Sequence, residues 1–257
     1  MNTASASACG GTNVSTMTIE AARQRTRVVE GWLTDREGEA LFWLARDYGR
    51  LGAVVEIGSW KGRSTIWLAC GQRAGAGGKV VAIDPHTGSN EHQTAEGVWT
   101  FDEFQRNVTT AGVADLVEPL VMTSLEAAST LNQPAGLIFI DGAHEYEAVR
   151  ADFEAWFPKV VDGGVMAFND TDSWPGVFRL VRERVVRSRR FRRLRLVDST
   201  LIAQKVARNT LADRARNRYV FLLVRLSYRS RRLHLPRGLV WIGKRFLRLL
   251  QASGRRS

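Results

Sequence analysis

Four side chains of this sequence carry groups that could work together chemically: Asp141, His144, Asn169 and Asp170. Asp141 closes the apolar run Gly136 to Asp141 (GLIFID), and Asn169 and Asp170 follow the run Gly164 to Phe168 (GVMAF). Two carboxylates and an amide oxygen form a hard, all-oxygen ligand set that suits Mg2+, an ion that usually keeps several waters or substrate oxygens. His144 is a candidate general base, because an unperturbed imidazole titrates near neutral pH. Its other reading is a cap on the following helix or a contact with the edge of an adenine ring. His86, His92 and His234 are the other histidines, so few residues compete for a proton-transfer role. Tyr146 and Trp156 read as packing residues, and Asp172 and Trp174 could shape a pocket.

Strands must bring these groups together. Val54 to Ala69 (VVEIGSWKGRSTIWLA) reads as a strand, a turn through Gly58 and Gly62, and a helix opened by Ser64 and Thr65. The first N–H groups of such a helix are available to a polar ligand. The turn is neither the G-x-G-x-x-G of a dinucleotide loop nor the G-x-x-x-x-G-K-[ST] of a phosphate loop. Its spacing is Glu56-x-Gly58-x-x-x-Gly62, and Glu56 would repel a pyrophosphate while suiting a ligand with an amino group or positive charge. Taken alone, the turn could also be a corner without a ligand. Lys79 to Asp84 (KVVAID) is a second strand, and Asp84 is placed to accept hydrogen bonds from ribose hydroxyls. Four apolar strands ending in polar residues put those residues along one crevice at the carboxyl edge of an open α/β sheet.

The segments VVEIGSWKGRST, VVAIDP, IDGAHEYEAVRADFEAW and GGVMAFND resemble the S-adenosylmethionine-dependent class I methyltransferases. Within them the chain is most similar to the sugar and natural-product O-methyltransferases that carry an I-D-G-x-H-x-Y block. The similarity covers roughly Val29 to Val206. It implies a doubly wound, mostly parallel Rossmann-like sheet with an antiparallel C-terminal hairpin. By the same resemblance Glu56, Gly58, Ser59, Gly62 and Ser64 line the methionine part of S-adenosylmethionine, Asp84 binds its ribose, and the region Met122-Thr123-Ser124 borders its adenine. Asp141 contributes to both cofactor site and catalysis. Metal-dependent relatives hold an ion at the positions of Asp141, Asn169 and Asp170, where Asn169 is a weaker ligand than the carboxylate often found there. The implied reaction is methyl transfer to a hydroxyl of a glycan, glycolipid or other natural product. The alternatives are a metal-independent small-molecule methyltransferase and a binding or scaffold protein that keeps the fold without catalysis.

Length and composition accommodate one enzyme-sized domain with an appendage. The chain has 257 residues, 44% of them hydrophobic, enough to bury a full core. Its two cysteines, Cys9 and Cys70, are too few for a disulfide framework, and Cys70 lies in an apolar helix, so a reducing cytoplasm is expected. The net charge of +11 is unevenly spread: residues 1–207 hold 23 Lys+Arg against 25 Asp+Glu, and residues 208–257 hold 14 against the single Asp213. The expected organisation is therefore a disordered tail over 1–17, a methyltransferase domain over 18–207 and a basic helical extension over 208–257.

Within the extension, Tyr219 to Leu226 and Gly238 to Leu250 are apolar stretches set among arginines; Leu239, Ile242, Phe246 and Leu250 repeat at helical spacing. Basic amphipathic helices of this kind suit an anionic membrane surface. Docking on the domain, on a second copy in a homo-oligomer or on another partner is the competing reading. Nucleic acid fits less well, since the apolar content exceeds what a phosphate-tracking arm needs. No run of eighteen apolar residues occurs, so no unaided membrane span is expected.

Elsewhere, two helical patterns fill Thr18 to Tyr48, with Thr34 an N-cap candidate and Glu37 three residues on. Pro85 to Asn107 reads as a polar loop suited to a lid, running into TFDEFQRNV. Pro175 to Arg187 reads as a helix, and Phe191 to Val206 as a hairpin turning at Asp198-Ser199.

Overall fold

The computed structural model describes residues 17–75, 77–88 and 97–232. The expected tail over 1–16, the lid tip at 89–96 and the second basic helix at 238–250 lie outside the described residues; Met17 is buried against the core.

Seven strands form one sheet: β1 (Ala53–Ile57), β2 (Val80–Ile83), β3 (Val117–Leu120), β4 (Ala135–Ile140), β5 (Val160–Phe168), β6 (Phe191–Val197) and β7 (Thr200–Lys205). Their order is β3-β2-β1-β4-β5-β7-β6, with β1 to β5 parallel and β7 antiparallel to both β5 and β6. This is the doubly wound sheet with a closing antiparallel hairpin that the sequence predicts. β1 and β4 are buried almost throughout because helices cover both faces, which explains their unbroken apolar runs. β3 is a strand the apolar pattern does not predict. It is an edge strand of four residues, with Glu118 and Pro119 exposed, where a proline's missing N–H costs the ladder least.

Strand order reverses between β1 and β4, and the register fixes what meets there. Ile57 lies opposite both Ile83 and Ile140, and Ile140 lies opposite Phe168. The next residue of each strand therefore stands at one level: Gly58, Asp84, Asp141 and Asn169. A topological switch point of this kind opens a crevice outside the carboxyl ends of the strands.

One face of the sheet is covered by α1 (Ile19–Thr26), α2 (Asp35–Tyr48), α3 (Arg63–Ala74) and α4 (Phe101–Thr110). α2 starts with a full capping box, in which Thr34 accepts from the Glu37 N–H while the Glu37 carboxylate accepts from the Thr34 N–H. The other face carries α5 (Ser124–Thr130), α6 (Tyr146–Trp156) and α7 (Pro175–Leu180), the last continuing as a π-helical turn over Val181–Val186. Cys70 is buried in α3, and burial pushes its thiol up to about 11.

The basic extension begins as α8 (Leu211–Arg232). Val220, Leu223 and Val224 of α8 are buried, Val220 and Val224 in the same core cluster as Phe191 and Val185, and Asn217 Nδ2 donates to the Phe191 carbonyl at 2.9 Å. At its far end Ser227 Oγ donates to the buried Asp172, and Tyr228 stacks on Phe178 of α7. Among the described residues no helix is long and apolar enough to cross a membrane.

Candidate active site

A cavity of about 790 Å3 occupies the crevice at the β1–β4 switch. The glycine turn, Asp84 and Ser124 line one part of it, and Asp141, His144, Asn169 and Asp170 another. Two non-glycine residues on its rim hold positive φ: Trp60 at 45° and Asp170 at 53°. Such conformations cost free energy and persist where surrounding bonds impose them.

Asp84 imposes the first. Its Oδ2 accepts from the Ser59 and Trp60 N–H groups at 2.9 and 2.7 Å, and its Oδ1 accepts from the His86 N–H at 2.7 Å. The carboxylate is thus turned onto the glycine loop and lines the cavity beside it. His86 supports the site from behind: it is buried among Phe101 and Phe104 with Nδ1 2.9 Å from Thr100 Oγ1, and burial lowers its pKa. Ser59 and Ser64 line the cavity, as Gly58 does. Ser124 reaches it from the start of α5, where its Oγ accepts from Trp156 Nε1 at 2.8 Å.

Glu56 and Gly62 are placed differently. Gly62 caps α3 with φ 90°, and a Cβ there would press on Phe104 at 3.1 Å, so its task is to let the turn pack on α4. Glu56 is fully buried one layer beneath the loop, where its carboxylate takes the Thr65 hydroxyl while Oε1 has no hydrogen-bond partner. Burial, followed by the charge of Asp84, raises its pKa to about 7 against the pull of the Ser64 and Thr65 hydroxyls. The native protein therefore holds a proton that the unfolded chain releases, and stability falls as pH climbs from the ordinary glutamate value towards 7. A tenfold change in proton affinity corresponds to about 1.4 kcal/mol, so the loss amounts to roughly 3–4 kcal/mol at most. Glu56→Gln should flatten this dependence; urea midpoints measured from pH 5 to 8 that fall equally steeply in both proteins would refute the assignment.

The acidic part is compact. Ligand atoms of Asp141, His144 and Asp170 lie within 4.8 Å of one another. His144 Nε2 is 3.3 Å from Asp170 Oδ2, and its ring stacks on Trp174 at 4.7 Å and 7°. The N-cap of α6 is Glu145, without a side-chain cap, and His144 turns instead to the carboxylates. Burial first, and the neighbouring Asp170 second, hold Asp141 well above the usual carboxylate range. Asn169 Nδ2 donates to Asp141 Oδ1 at 2.8 Å and lies 3.4 Å from Asp170 Oδ2, while its Oδ1 accepts from Thr200 Oγ1 at 2.8 Å. In this setting the amide oxygen faces away from the carboxylates.

The structure adds Asp152, Trp32, Trp60 and Arg63 to the lining, which spacing could not supply, and places the expected Trp174 there. Asp152 of α6 is buried with its pKa raised by burial, partly offset by the Ser124 hydroxyl. Trp32 and Trp60 stand 6.0 Å apart at the mouth, and Arg63 lies behind them with Nη1 donating to the Val29 carbonyl at 3.0 Å. Trp174 completes the wall by its stack on His144. Only the density of tryptophans around the turn and the acidic motif hinted at an aromatic mouth.

Residues 55–171 match a family model described as a methyltransferase domain. A stretch of 93 residues is 40% identical to the catechol O-methyltransferase of Mycobacterium tuberculosis and covers 36% of this chain and 36% of that enzyme, about a third of the relative's length. Among solved structures, the O-methyltransferase NovP superposes with a TM-score of 0.58 at 20% identity, over 67% of this chain and 80% of that one. TomG of Streptomyces achromogenes, an O-methyltransferase of tomaymycin synthesis solved with S-adenosylmethionine, gives 0.52 at 22% identity over 74% and 89%. Residues 55–171 thus match a methyltransferase-domain model, and the sheet around them has the fold of these O-methyltransferase structures.

Proposed function

We propose that this protein is an S-adenosylmethionine-dependent O-methyltransferase acting, with a divalent cation such as Mg2+, on a hydroxyl of a glycan, glycolipid or other natural product. One observation carries the reading: a single cavity joins the Asp84-braced glycine turn to the Asp141–His144–Asp170 cluster. The match to a catechol O-methyltransferase supports oxygen as the acceptor atom. The donor set fits both absent groups. The cavity is large enough for a nucleoside cofactor and part of an acceptor, and two clustered carboxylates beside an imidazole suit a divalent cation.

When bound, S-adenosylmethionine supplies an electrophilic methyl group, and a divalent cation supplies a Lewis acid that acidifies the acceptor hydroxyl. The chain's own residues do the rest. Asp84 fixes the glycine loop and offers its carboxylate to ribose hydroxyls. Asp141 and Asp170 would hold the cation. His144, stacked on Trp174, would take the proton of an acceptor hydroxyl on Nε2. Trp32, Trp60 and Trp174 supply aromatic surface to the cavity.

Calorimetric titration with S-adenosylmethionine should give micromolar-range binding that Asp84→Ala weakens about 100-fold. Absence of binding to the native protein would favour a scaffold that keeps the fold without the chemistry. Methyl transfer to extracted glycans and lipids should stop in chelator and return with Mg2+; full transfer in chelator would leave the metal-independent alternative standing.

The outer face of α8 supports a membrane-surface role. Tyr219, Leu222 and Leu226 are about half exposed there, interleaved with exposed Arg216, Arg218, Arg225 and Arg229. Apolar side chains flanked by arginines suit a headgroup layer of anionic lipid. The full chain should sediment with phosphatidylglycerol vesicles and stay behind with phosphatidylcholine. Leu222→Glu together with Leu226→Glu should abolish sedimentation; unchanged sedimentation would assign the face to another partner.

A further inference from the structure

We propose that Thr200 and Glu37 form a relay that sets which end of the Asn169 amide faces the carboxylate cluster, making Thr200 a positioning residue for cation binding. This rests on the cation role proposed above for Asp141 and Asp170.

The relay is built by the sheet. Phe168 of β5 lies opposite Leu201 of β7, so Asn169 and Thr200 meet just beyond the paired ends. All three members are buried: Asn169, Thr200 and Glu37 are 8%, 1% and 2% exposed. Glu37 is anchored from two sides. Its Oε2 accepts from the Thr34 N–H at 2.9 Å, and its Oε1 accepts from the Ser199 N–H at 2.9 Å and the Ser199 hydroxyl at 2.7 Å.

Thr200 Oγ1 stands between two acceptors, 2.8 Å from Asn169 Oδ1 and 3.1 Å from Glu37 Oε1, and a hydroxyl has one proton to donate. With the proton on Asn169, the amide NH2 points at Asp141 and Asp170 and bridges two carboxylates. A cation between those carboxylates repels the NH2 and needs an oxygen in its place. Turning the amide over presents Oδ1 to the ion and the NH2 to Thr200 Oγ1. Thr200 then donates its proton to Glu37 Oε1, which already waits within hydrogen-bond distance. The Thr200 hydroxyl and one amide N–H keep an acceptor in both settings. A buried carboxylate on a helix cap thereby reports to a strand-end ligand through one hydroxyl.

Mn2+ titration of the full chain, followed by electron paramagnetic resonance, tests the relay without requiring the acceptor. Thr200→Val should weaken Mn2+ binding about 10-fold or more, in the range usual for a group that orients a ligand. Thr200→Ser should bind within about 2-fold of the native protein, since it keeps the hydroxyl. In an Asn169→Ala background Thr200→Val should have no further effect. Thr200→Ala serves where the valine variant does not fold, as judged by its thermal transition and by S-adenosylmethionine affinity, which neither change should move. Native-like Mn2+ affinity in the variants, or an equal loss with and without Asn169, overturns the relay and leaves the cation site intact. If the native protein takes no Mn2+, the cation role itself fails and the relay falls with it.

Discussion

Gly58→Ala will abolish cofactor binding and lower the stability of the fold by about 3 kcal/mol, the scale of overpacking joined to backbone strain. Gly58 has φ +85°, a region that disfavours L side chains by roughly 1–2 kcal/mol. A Cβ there would also meet the Asp141 carbonyl oxygen at 2.3 Å, its carbon at 2.6 Å and Gly142 Cα at 2.8 Å. These are main-chain atoms of the neighbouring strand end, with no side chain that could swing aside. The Asp141 N–H is bound to the Ile57 carbonyl at 2.8 Å and the Gly58 N–H to that of Ile83 at 2.9 Å, so three strand tips are locked at this point. A methyl group can enter only by parting β1 from β4, which moves the glycine loop and Asp141 together. Gly77→Ala is the control: φ is +72°, with nothing within 4 Å of the added Cβ. It should cost about 1 kcal/mol from backbone conformation alone and leave binding intact. Calorimetry with S-adenosylmethionine and urea unfolding read both quantities, and native-like binding by Gly58→Ala would refute the packing argument.

That the loop and the acids share one level was legible in the sequence because parallel strands covered on both faces read as unbroken apolar runs. GLIFID and KVVAID end where burial ends, so Asp141 and Asp84 announce themselves as strand tips. β3 has no such signature, since half its residues face solvent at a sheet edge. The same physics limits the site. Asp152 and Trp32 arrive from helix and loop, and their place in the wall follows from packing angles that no spacing encodes. Glu56 shows the limit most plainly. Its charge suggested a ligand contact, yet the pleat sends it beneath the loop, where it meets Thr65. The relay from Glu37 to Asn169 depends on the closure of a hairpin 162 residues further on, so residue type could give no hint of it. For α8 the helical period was readable, whereas the face that turns to the core is a tertiary choice made by Val220 and Val224.

If Asp141 holds the proposed cation, Asp141→Asn will move stability and ion binding in opposite directions. In the native protein two carboxylates share one recess with ligand atoms within 4.8 Å, and burial together with the Asp170 charge holds the Asp141 proton on to higher pH than usual. Such a carboxyl binds more protons in the native state than in the unfolded chain, so wild-type stability falls with rising pH above the ordinary aspartate range. An asparagine has nearly the same shape, and its Oδ1 can still accept from Asn169 Nδ2. It carries no charge to repel Asp170. In chelator the variant should therefore melt a few degrees above wild type at pH 8, a shift that roughly 1 kcal/mol produces in a domain of this size. The gap should narrow as pH falls and the native carboxyl takes up its proton. Mn2+ affinity should meanwhile drop by about 100-fold, because an amide oxygen replaces a charged ligand. A functional site that stores like charge costs stability until its counter-ion arrives, and the opposite signs are the signature of that arrangement. Equal melting at pH 8, or retention of native Mn2+ affinity, would show instead that Asp141 serves the packing of the strand ends and leaves the ion to Asp170 and His144.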